Sequence, residues 1–147
     1  VTYPKREEER QIIRMNNTGE FPVPQPVLKP EYIVRAREVV RDVYMDEKIE
    51  RYIVDIVYAT RKPEDYGLEK MANLISYGAS PRASISLAMA SKAYAFIKRR
   101  GYVIPEDVRA VCYEVLRHRI GLTYEAEAEN MTTDQIISEI INAVEVP

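Results

Sequence analysis

The amino-acid sequence predicts an all-α protein, a small bundle of about six or seven short helices. Two observations predict this class. Apolar residues recur every three or four positions along most of the 147 residues, which is the period of an amphipathic helix. Prolines stand where several of these segments begin, and glycines stand where several end. The chain contains no internal repeat and no low-complexity tract.

The first thirty residues are predicted to hold one helix and a linker. The helix is expected over 3–15, with Pro4 near its start, and Asn16–Gly19 is expected to end it. Four prolines then fall within 21–30. Because closely spaced prolines remove backbone donors and favour extended backbone, this stretch predicts a stiff linker.

The rest of the chain is predicted to form the main bundle. Thr132 with Gln135 fits a capping box, Gly101 and Gly121 are expected to close two helices, and 102–104 is expected to be an extended connector. The helical segments are expected over 30–44, 49–61, 63–76 (weakly periodic), 80–100, 105–120 and 132–144.

Composition excludes several classes of protein. One cysteine and one histidine exclude an internal disulfide and a typical structural zinc site. Cys112 shares an apolar stripe with Val108 and Val115, so it is predicted to be a core residue and not a nucleophile. No apolar run approaches the roughly 20 residues that cross a bilayer, and no secretory signal opens the chain. We therefore expect a cytoplasmic protein, and the first residue, Val1, indicates a fragment of a longer one.

Charge is distributed unevenly along the chain. The net charge of −2 argues against general affinity for nucleic acids. Between 76 and 119 there are eight Lys and Arg residues against three acids, a balance of +5, whereas 122–147 has six acids and no Lys or Arg, a balance of −6. Two interpretations stay open: the stretches offset each other within one folded unit, or a basic face meets an anion.

Ser80-Pro81-Arg82 breaks a rule that the other predicted helix starts follow. The other three prolines predicted to begin a helix are each followed by acids, which offset the partial positive charge of a helix N-terminus. Arg82 instead adds a full positive charge, and its guanidinium would lean past the helix end toward the free N–H groups. That combination suits a phosphate. The alternative is that Arg82 pairs with a carboxylate elsewhere in the bundle.

The segment 78–83, Gly-Ala-Ser-Pro-Arg-Ala, resembles the sensor-2 motif of the MoxR family of AAA+ ATPases. Further segments extend the likeness over nearly the whole chain. Residues 49–61 resemble the second lid helix, 101–108 the connector and next helix, and 115–120 the segment after it. Residues 3–9, with their acidic triplet, resemble the stretch that follows the last strand of the catalytic core.

The resemblance implies the C-terminal part of such an ATPase, divided into three pieces. Residues 1–20 would be the last helix of the AAA+ core, 21–30 the proline-rich linker and 31–147 the helical lid. The Walker A and B motifs, sensor 1 and the arginine finger would precede Val1. The sequence contains no Gly-x-x-x-x-Gly-Lys-Ser/Thr loop, so ATP and its Mg²⁺ would be held by the absent core domain. This chain alone should therefore be inactive.

The same resemblance assigns roles and partners. Arg82 would be the catalytic residue of this chain, contacting the γ-phosphate of ATP, and Ala79, Ser80 and Pro81 would shape the junction of core and lid. The resemblance also implies a ring-shaped homo-oligomer and chaperone-like maturation or activation of partner proteins, among them von Willebrand factor A domain proteins. No membrane and no nucleic acid partner is expected.

Two other functions stay open from the residues. One is a free-standing helical protein-interaction module in which Arg82 is a structural ion-pair residue. The other, less favoured, is a nucleic-acid-binding domain that uses the basic stretch from Arg82 to Arg119. The residues leave the roles of Thr60 and Arg61 open, while His118 and Arg119 are best explained as cations at a helix C-terminus.

Overall fold

The computed structural model describes residues 3–19 and 21–147, and this part of the chain is mostly helical. It contains seven α-helices, two short 3₁₀ helices and one two-stranded sheet. The all-α prediction is confirmed. The chain divides into two compact units, 1–33 and 34–147.

The first unit contains helix α1, Arg6–Thr18, and the proline-rich stretch. The Glu8 carboxylate accepts a hydrogen bond from the Lys5 N–H at 2.7 Å, which satisfies one donor at the helix start. Gly19 ends the helix in the left-handed conformation, with φ of 70°. Because that closure is at Gly19, α1 runs three residues beyond the predicted end at residue 15. Residues 21–27 form no helix or strand and are exposed.

The remaining elements follow in chain order, and α2 begins in the first unit and continues into the second. They are α2 Pro30–Asp42, α3 Glu47–Ala59, 3₁₀ helices Pro63–Tyr66 and Glu69–Met71, β1 Ile75–Tyr77, α4 Pro81–Ile97, α5 Pro105–Leu116, β2 Gly121–Leu122, α6 Tyr124–Ala128 and α7 Thr133–Ala143. All four prolines predicted to begin a helix occupy the first position of one.

The core of the second unit lies between α3, α4, α5 and α7. Helix α7 buries the isoleucine stripe that its sequence predicts, and Cys112 of α5 is fully buried, as expected. Helix α4 buries every fourth residue, namely Ala83, Leu87, Ser91 and Ala95. Because three of these side chains are small, the backbones of α4 and α5 can pack closely. Since successive helical residues lie about 100° apart, a buried Ala83 turns its neighbour Arg82 away from the core.

The short sheet differs from the prediction. Residues 63–76 form two 3₁₀ turns and a strand instead of one weak helix, and β1 pairs antiparallel with β2. Gly121 does not end α5, which stops at Leu116. It lies in β2, where a Cβ atom would come within 2.2 Å of the Tyr77 ring. Two- and three-residue strands are too short to show a period, which is why the sequence pattern missed them.

The end of α4 also differs from the prediction. Helix α4 ends at Ile97, and the left-handed residue after it is Arg99, with φ of 59°, and not Gly101. The connector is extended, as expected. The Tyr44 N–H donates a hydrogen bond to the Gly101 carbonyl at 2.9 Å, and the Tyr44 carbonyl accepts a hydrogen bond from the Val103 N–H at 2.9 Å. The connector thereby joins the end of α2 to the start of α5.

Candidate functional site

The start of α4 lacks the usual side-chain cap. Ser80 occupies the predicted N-cap position with extended backbone, but its side chain makes no capping hydrogen bond within the described chain. Pro81 follows at the first helical position and has no N–H to satisfy. The Ala83 N–H donates to the Ser80 carbonyl at 2.8 Å, but the start of the helix keeps its partial positive charge.

Arg82 is exposed on the outer side of this first turn. Its guanidinium makes no ion pair and no hydrogen bond with any residue that the structure describes. Two other arginines of the basic stretch are paired: Arg100 pairs with Asp107, and Arg117 pairs with Asp134 and Glu114. The alternative that Arg82 is a structural ion-pair residue therefore has no support in the described chain.

The loop before α4 is attached to the end of α3. Ala79 is fully buried, and its N–H donates to the Thr60 Oγ1 at 2.8 Å. The Thr60 hydroxyl donates in turn to the Val57 carbonyl at 2.7 Å, and Thr60 is itself fully buried. A Cβ atom on Gly78 would lie 2.3 Å from the Thr60 carbonyl oxygen and 2.7 Å from the Arg61 Cγ. Only glycine fits here, because a side chain would collide with the α3 backbone.

A cleft of about 250 Å³ opens where the end of α3 meets this loop and β1. Thr60, Arg61, Ser76 and Gly78 are among the residues that line it. The Arg61 guanidinium lies 5.0 Å from the centre of the Tyr58 ring, which is cation–π distance. Arg61 thus stands beside the same loop that leads into α4.

A second arginine approaches α4 one turn beyond Arg82. The Arg119 Nη2 lies 3.5 Å from the Ser86 Oγ, and its Nη1 donates to the Val115 carbonyl in the last turn of α5. The contact with Val115 agrees with the predicted role of a cation at a helix C-terminus. His118 is exposed beside it, and a ring nitrogen of His118 contacts the Arg119 guanidinium.

The basic stretch and the acidic tail do meet. The Arg117 Nε and Nη2 donate to the two carboxylate oxygens of Asp134 at 2.6 and 3.1 Å. Arg109 donates to the Ile141 carbonyl at 3.1 Å and to the Asn142 amide oxygen at 3.2 Å. The two stretches therefore offset each other in part within one folded unit, while Arg82 stays outside these contacts.

Two further classes of site can be judged from the described residues. Within 3–19 and 21–147 no group of three or more His, Cys, Asp or Glu residues is placed to hold a metal ion. Burial raises the pKa of the Cys112 thiol to about 12, so it is protonated at neutral pH, as a core cysteine should be. In the same described part of the chain, every helix is too short or too polar to cross a bilayer.

Sequence reasoning identified the start of α4 but left the role of Thr60 open. The residues around Thr60 give no indication that its hydroxyl will contact a loop 19 residues later in the chain. The close approach at Gly78 had a sequence signal, the glycine at the first position of the motif 78–83. Tyr52 is buried in the core, and Tyr94 is half-buried.

Comparison with known proteins places this geometry in a family. Residues 70–140 match the family model of the AAA lid domain. The full chain is 38% identical to Chaperone MoxR1 of Mycobacterium tuberculosis and covers 39% of that protein. Over 147 residues it is 34% identical to the protein YeaC of Bacillus subtilis, of which it covers 43%. Over 100 residues, 65% of the chain, it is 36% identical to Protein MoxR of Methylorubrum extorquens and covers 28% of it.

A crystal structure supports the same assignment. The chain superimposes with a TM-score of 0.90 and 41% identity on a protein from Cytophaga hutchinsonii that has been assigned as an ATPase. The match covers all of this chain and 45% of that one. The chain thus spans less than half the length of each of these proteins. It belongs to the MoxR family of AAA+ proteins, and its residues 70–140 are an AAA lid domain.

Proposed function

We propose that this chain is the C-terminal lid portion of a MoxR-type AAA+ ATPase and that Arg82 is its sensor-2 arginine. One observation carries the proposal. The Arg82 guanidinium stands at the electropositive start of α4, exposed and unpaired among the described residues. A cation placed there costs stability, and nothing in the described chain compensates for it. An anion supplied by another part of the protein accounts for the arrangement.

The chemistry proposed is transfer of a phosphoryl group from ATP to water. Arg82 would contact the γ-phosphate, where its fork of N–H donors stabilises the negative charge that develops in the transition state. Ala79, Ser80 and Pro81 would shape the junction against which the nucleotide lies. Mg²⁺ would be held by the core domain, as the family resemblance implies.

Lid movement follows from the same contact. With the γ-phosphate in place, Arg82 holds the lid to the nucleotide, and loss of that phosphate releases it. The packed core makes the second unit move as one body, with the proline-rich residues 21–30 near the hinge. In the division we propose, 1–20 belong to the core domain and 31–147 to the lid.

The activity of the whole protein is proposed on the family likeness. It would assemble as a ring-shaped homo-oligomer and act as a chaperone that matures or activates partner proteins, with von Willebrand factor A domain proteins as candidates. The Mycobacterium tuberculosis relative is named a chaperone. We propose the cytoplasm as its location, because a chaperone driven by ATP needs a continuous supply of that nucleotide.

Replacing Arg82 in the full-length ATPase tests the proposal. We expect Arg82→Ala to lower kcat for ATP hydrolysis by about 10- to 100-fold, since one charge-stabilising donor is lost in the transition state. Arg82→Lys keeps the charge but loses the fork, so we expect only partial recovery. Steady-state phosphate release measures both.

Arg51→Ala is the matched control. Arg51 is also an exposed helical arginine, and among the described residues it pairs only with Glu47 on its own helix surface. We expect its removal to change kcat by less than about twofold. Unchanged turnover in Arg82→Ala, with a normal melting curve, would show that the assigned role is wrong.

A further inference from the structure

We infer that Thr60 is a positioning residue for Arg82: its buried hydroxyl fixes the loop from which α4 begins and so sets where the guanidinium stands. This inference rests on the proposed function of Arg82. It concerns a residue that would touch neither the nucleotide nor the reacting atoms.

The Thr60 hydroxyl makes one hydrogen bond to each of two separate segments of the chain. It donates to the Val57 carbonyl inside α3 and accepts from the Ala79 N–H in the loop. Thr60 and Ala79 are both fully buried, so water cannot replace either partner without opening the fold. The hydroxyl therefore ties the loop to a helix that is packed into the core.

The adjacent contact at Gly78 strengthens this attachment. The Gly78 backbone lies so close to Thr60 and Arg61 that a Cβ atom would overlap the Thr60 carbonyl. Residues 78 and 79 are therefore held against the end of α3, one by close packing and the other by a hydrogen bond. Ser80, the next residue, begins the helix.

The start of α4 has no comparable local support. The Ser80 side chain makes no capping hydrogen bond, and Arg82 makes no bond or ion pair within the described residues. The buried Ala83 packs the helix into the core but leaves its first turn uncapped. Among the hydrogen bonds between side chain and backbone in the described residues, the bond from Ala79 to Thr60 is the nearest to Arg82 along the sequence.

Removing that contact should misplace the arginine. In Thr60→Val the side chain keeps its shape, but the Ala79 N–H is left buried without a partner, and the loop must shift to satisfy it. A displacement of about 1 Å at a group that acts in the transition state costs up to about 100-fold in rate. The effect on catalysis should therefore be much larger than expected for a residue outside the reacting centre.

A double-mutant cycle in the full-length ATPase tests the inference. We expect Thr60→Val to lower kcat by about 5- to 50-fold, and Thr60→Ser, which keeps the hydroxyl, to stay within about twofold of the wild type. In the Arg82→Ala background we expect Thr60→Val to cause less than about a twofold further loss, because its effect passes through Arg82.

Thr123→Val is the matched control. The Thr123 hydroxyl also bridges two backbone segments, donating to the Asn73 carbonyl at 2.8 Å and accepting from the Ala126 N–H at 3.3 Å. It lies outside the loop 78–80, so its loss should lower the melting temperature but leave kcat within about twofold. A fall in kcat as large as that of Thr60→Val would make the effect one of general stability and overturn the inference.

The outcomes separate the inference from the proposed function. If Arg82→Ala leaves kcat unchanged, the function assigned to Arg82 is wrong. If Arg82→Ala lowers kcat but Thr60→Val does not, or if the two losses multiply, the positioning role is wrong and the function of Arg82 stands.

One measurement needs no variant and covers the case in which Thr60→Val fails to fold. In the wild-type protein, the Ala79 amide should exchange its hydrogen much more slowly than the Arg82 amide, because only the former is bonded and buried. Equally fast exchange at the two amides would overturn the inference.

Discussion

Asp107 shows how a buried charge is accommodated in this fold. Its carboxylate is 1% exposed at the start of α5, and it accepts hydrogen bonds from the Arg100 guanidinium, at 2.6 Å to one oxygen, and from the Ile104 N–H at 3.0 Å. Burial opposes ionisation of this carboxyl, but the bonds from Arg100 and Ile104 outweigh it and lower the pKa of Asp107. Arg100, one member of the basic stretch, thus has a structural role.

Asp107→Ala should destabilise the fold by about 2–3 kcal/mol, because the carboxylate bonds are lost inside the packed core. The control is Glu106→Ala, one residue earlier on the exposed side of α5, which we expect to cost less than about 0.5 kcal/mol. Urea unfolding of the 147-residue chain measures both. Equal costs for the two variants would contradict this account of Asp107.

The same carboxylate predicts a pH dependence of stability. Since the pKa of Asp107 is lower in the folded chain than the value of about 3.9 in an unfolded one, ionisation favours folding. That stability is fully present above about pH 4 and is lost as the pH falls through the lower, folded pKa. The free energy of unfolding should fall below pH 4, and less steeply in Asp107→Asn. An identical acid profile in that variant would contradict the assignment.

The helices α4 and α7 begin with similar residues but different contacts. In α7, the Thr132 hydroxyl accepts from the Gln135 N–H at 3.2 Å, and the Gln135 side chain accepts from the Thr132 N–H at 2.8 Å, which completes the predicted capping box. In α4, Ser80 makes no such bond within the described residues. Sequence alone assigns both residues the same role.

Removing the two N-cap side chains should therefore lower the stability of the fold by different amounts. We expect Thr132→Ala to cost about 1 kcal/mol of stability and Ser80→Ala less than about 0.5 kcal/mol. Thermal or urea unfolding of the two variants, compared with the wild type, measures the difference. A cost for Ser80→Ala equal to that of Thr132→Ala would show that Ser80 does cap its helix in solution.

For the molecule as a whole, the chain presents an exposed arginine at a helix start but contains no phosphate-binding loop. Its sequence contains no Gly-x-x-x-x-Gly-Lys-Ser/Thr segment, and it spans 39% of the length of the Mycobacterium tuberculosis relative. One guanidinium and one helix N-terminus supply only a small part of the affinity that a nucleotide needs.

We therefore expect the isolated 147-residue chain to bind ATP weakly, with a Kd above about 1 mM. Isothermal titration calorimetry at low ionic strength measures this, because low salt favours any residual attraction. Inorganic triphosphate serves as the control for binding by charge alone. Micromolar affinity for ATP in this chain would contradict our assignment of the nucleotide site to the core–lid junction.

Most of the fold could be predicted because its information is local. The stripes of α3 and α7, the prolines at four helix starts and the capping box at Thr132 are all contained within single segments. The position of Arg82 at a helix start follows from three consecutive residues. The ends of α1, α4 and α5 were predicted less well, because the residue that adopts the left-handed conformation or stops a helix depends on neighbouring contacts.

The residue pattern alone establishes that this chain is helical, where its main helices begin, and which arginine breaks the charge rule at a helix start. The folded chain is needed to see that Arg82 stays unpaired among the described residues, that Arg117 meets Asp134, and that Thr60 holds the Ala79 backbone. The difference comes from separation along the chain, because helix periods and caps act within a few residues, whereas Thr60 and Ala79 are 19 residues apart. Their hydrogen bond exists only after α3 and α4 have packed into one core, and no local pattern encodes which buried groups will then face each other.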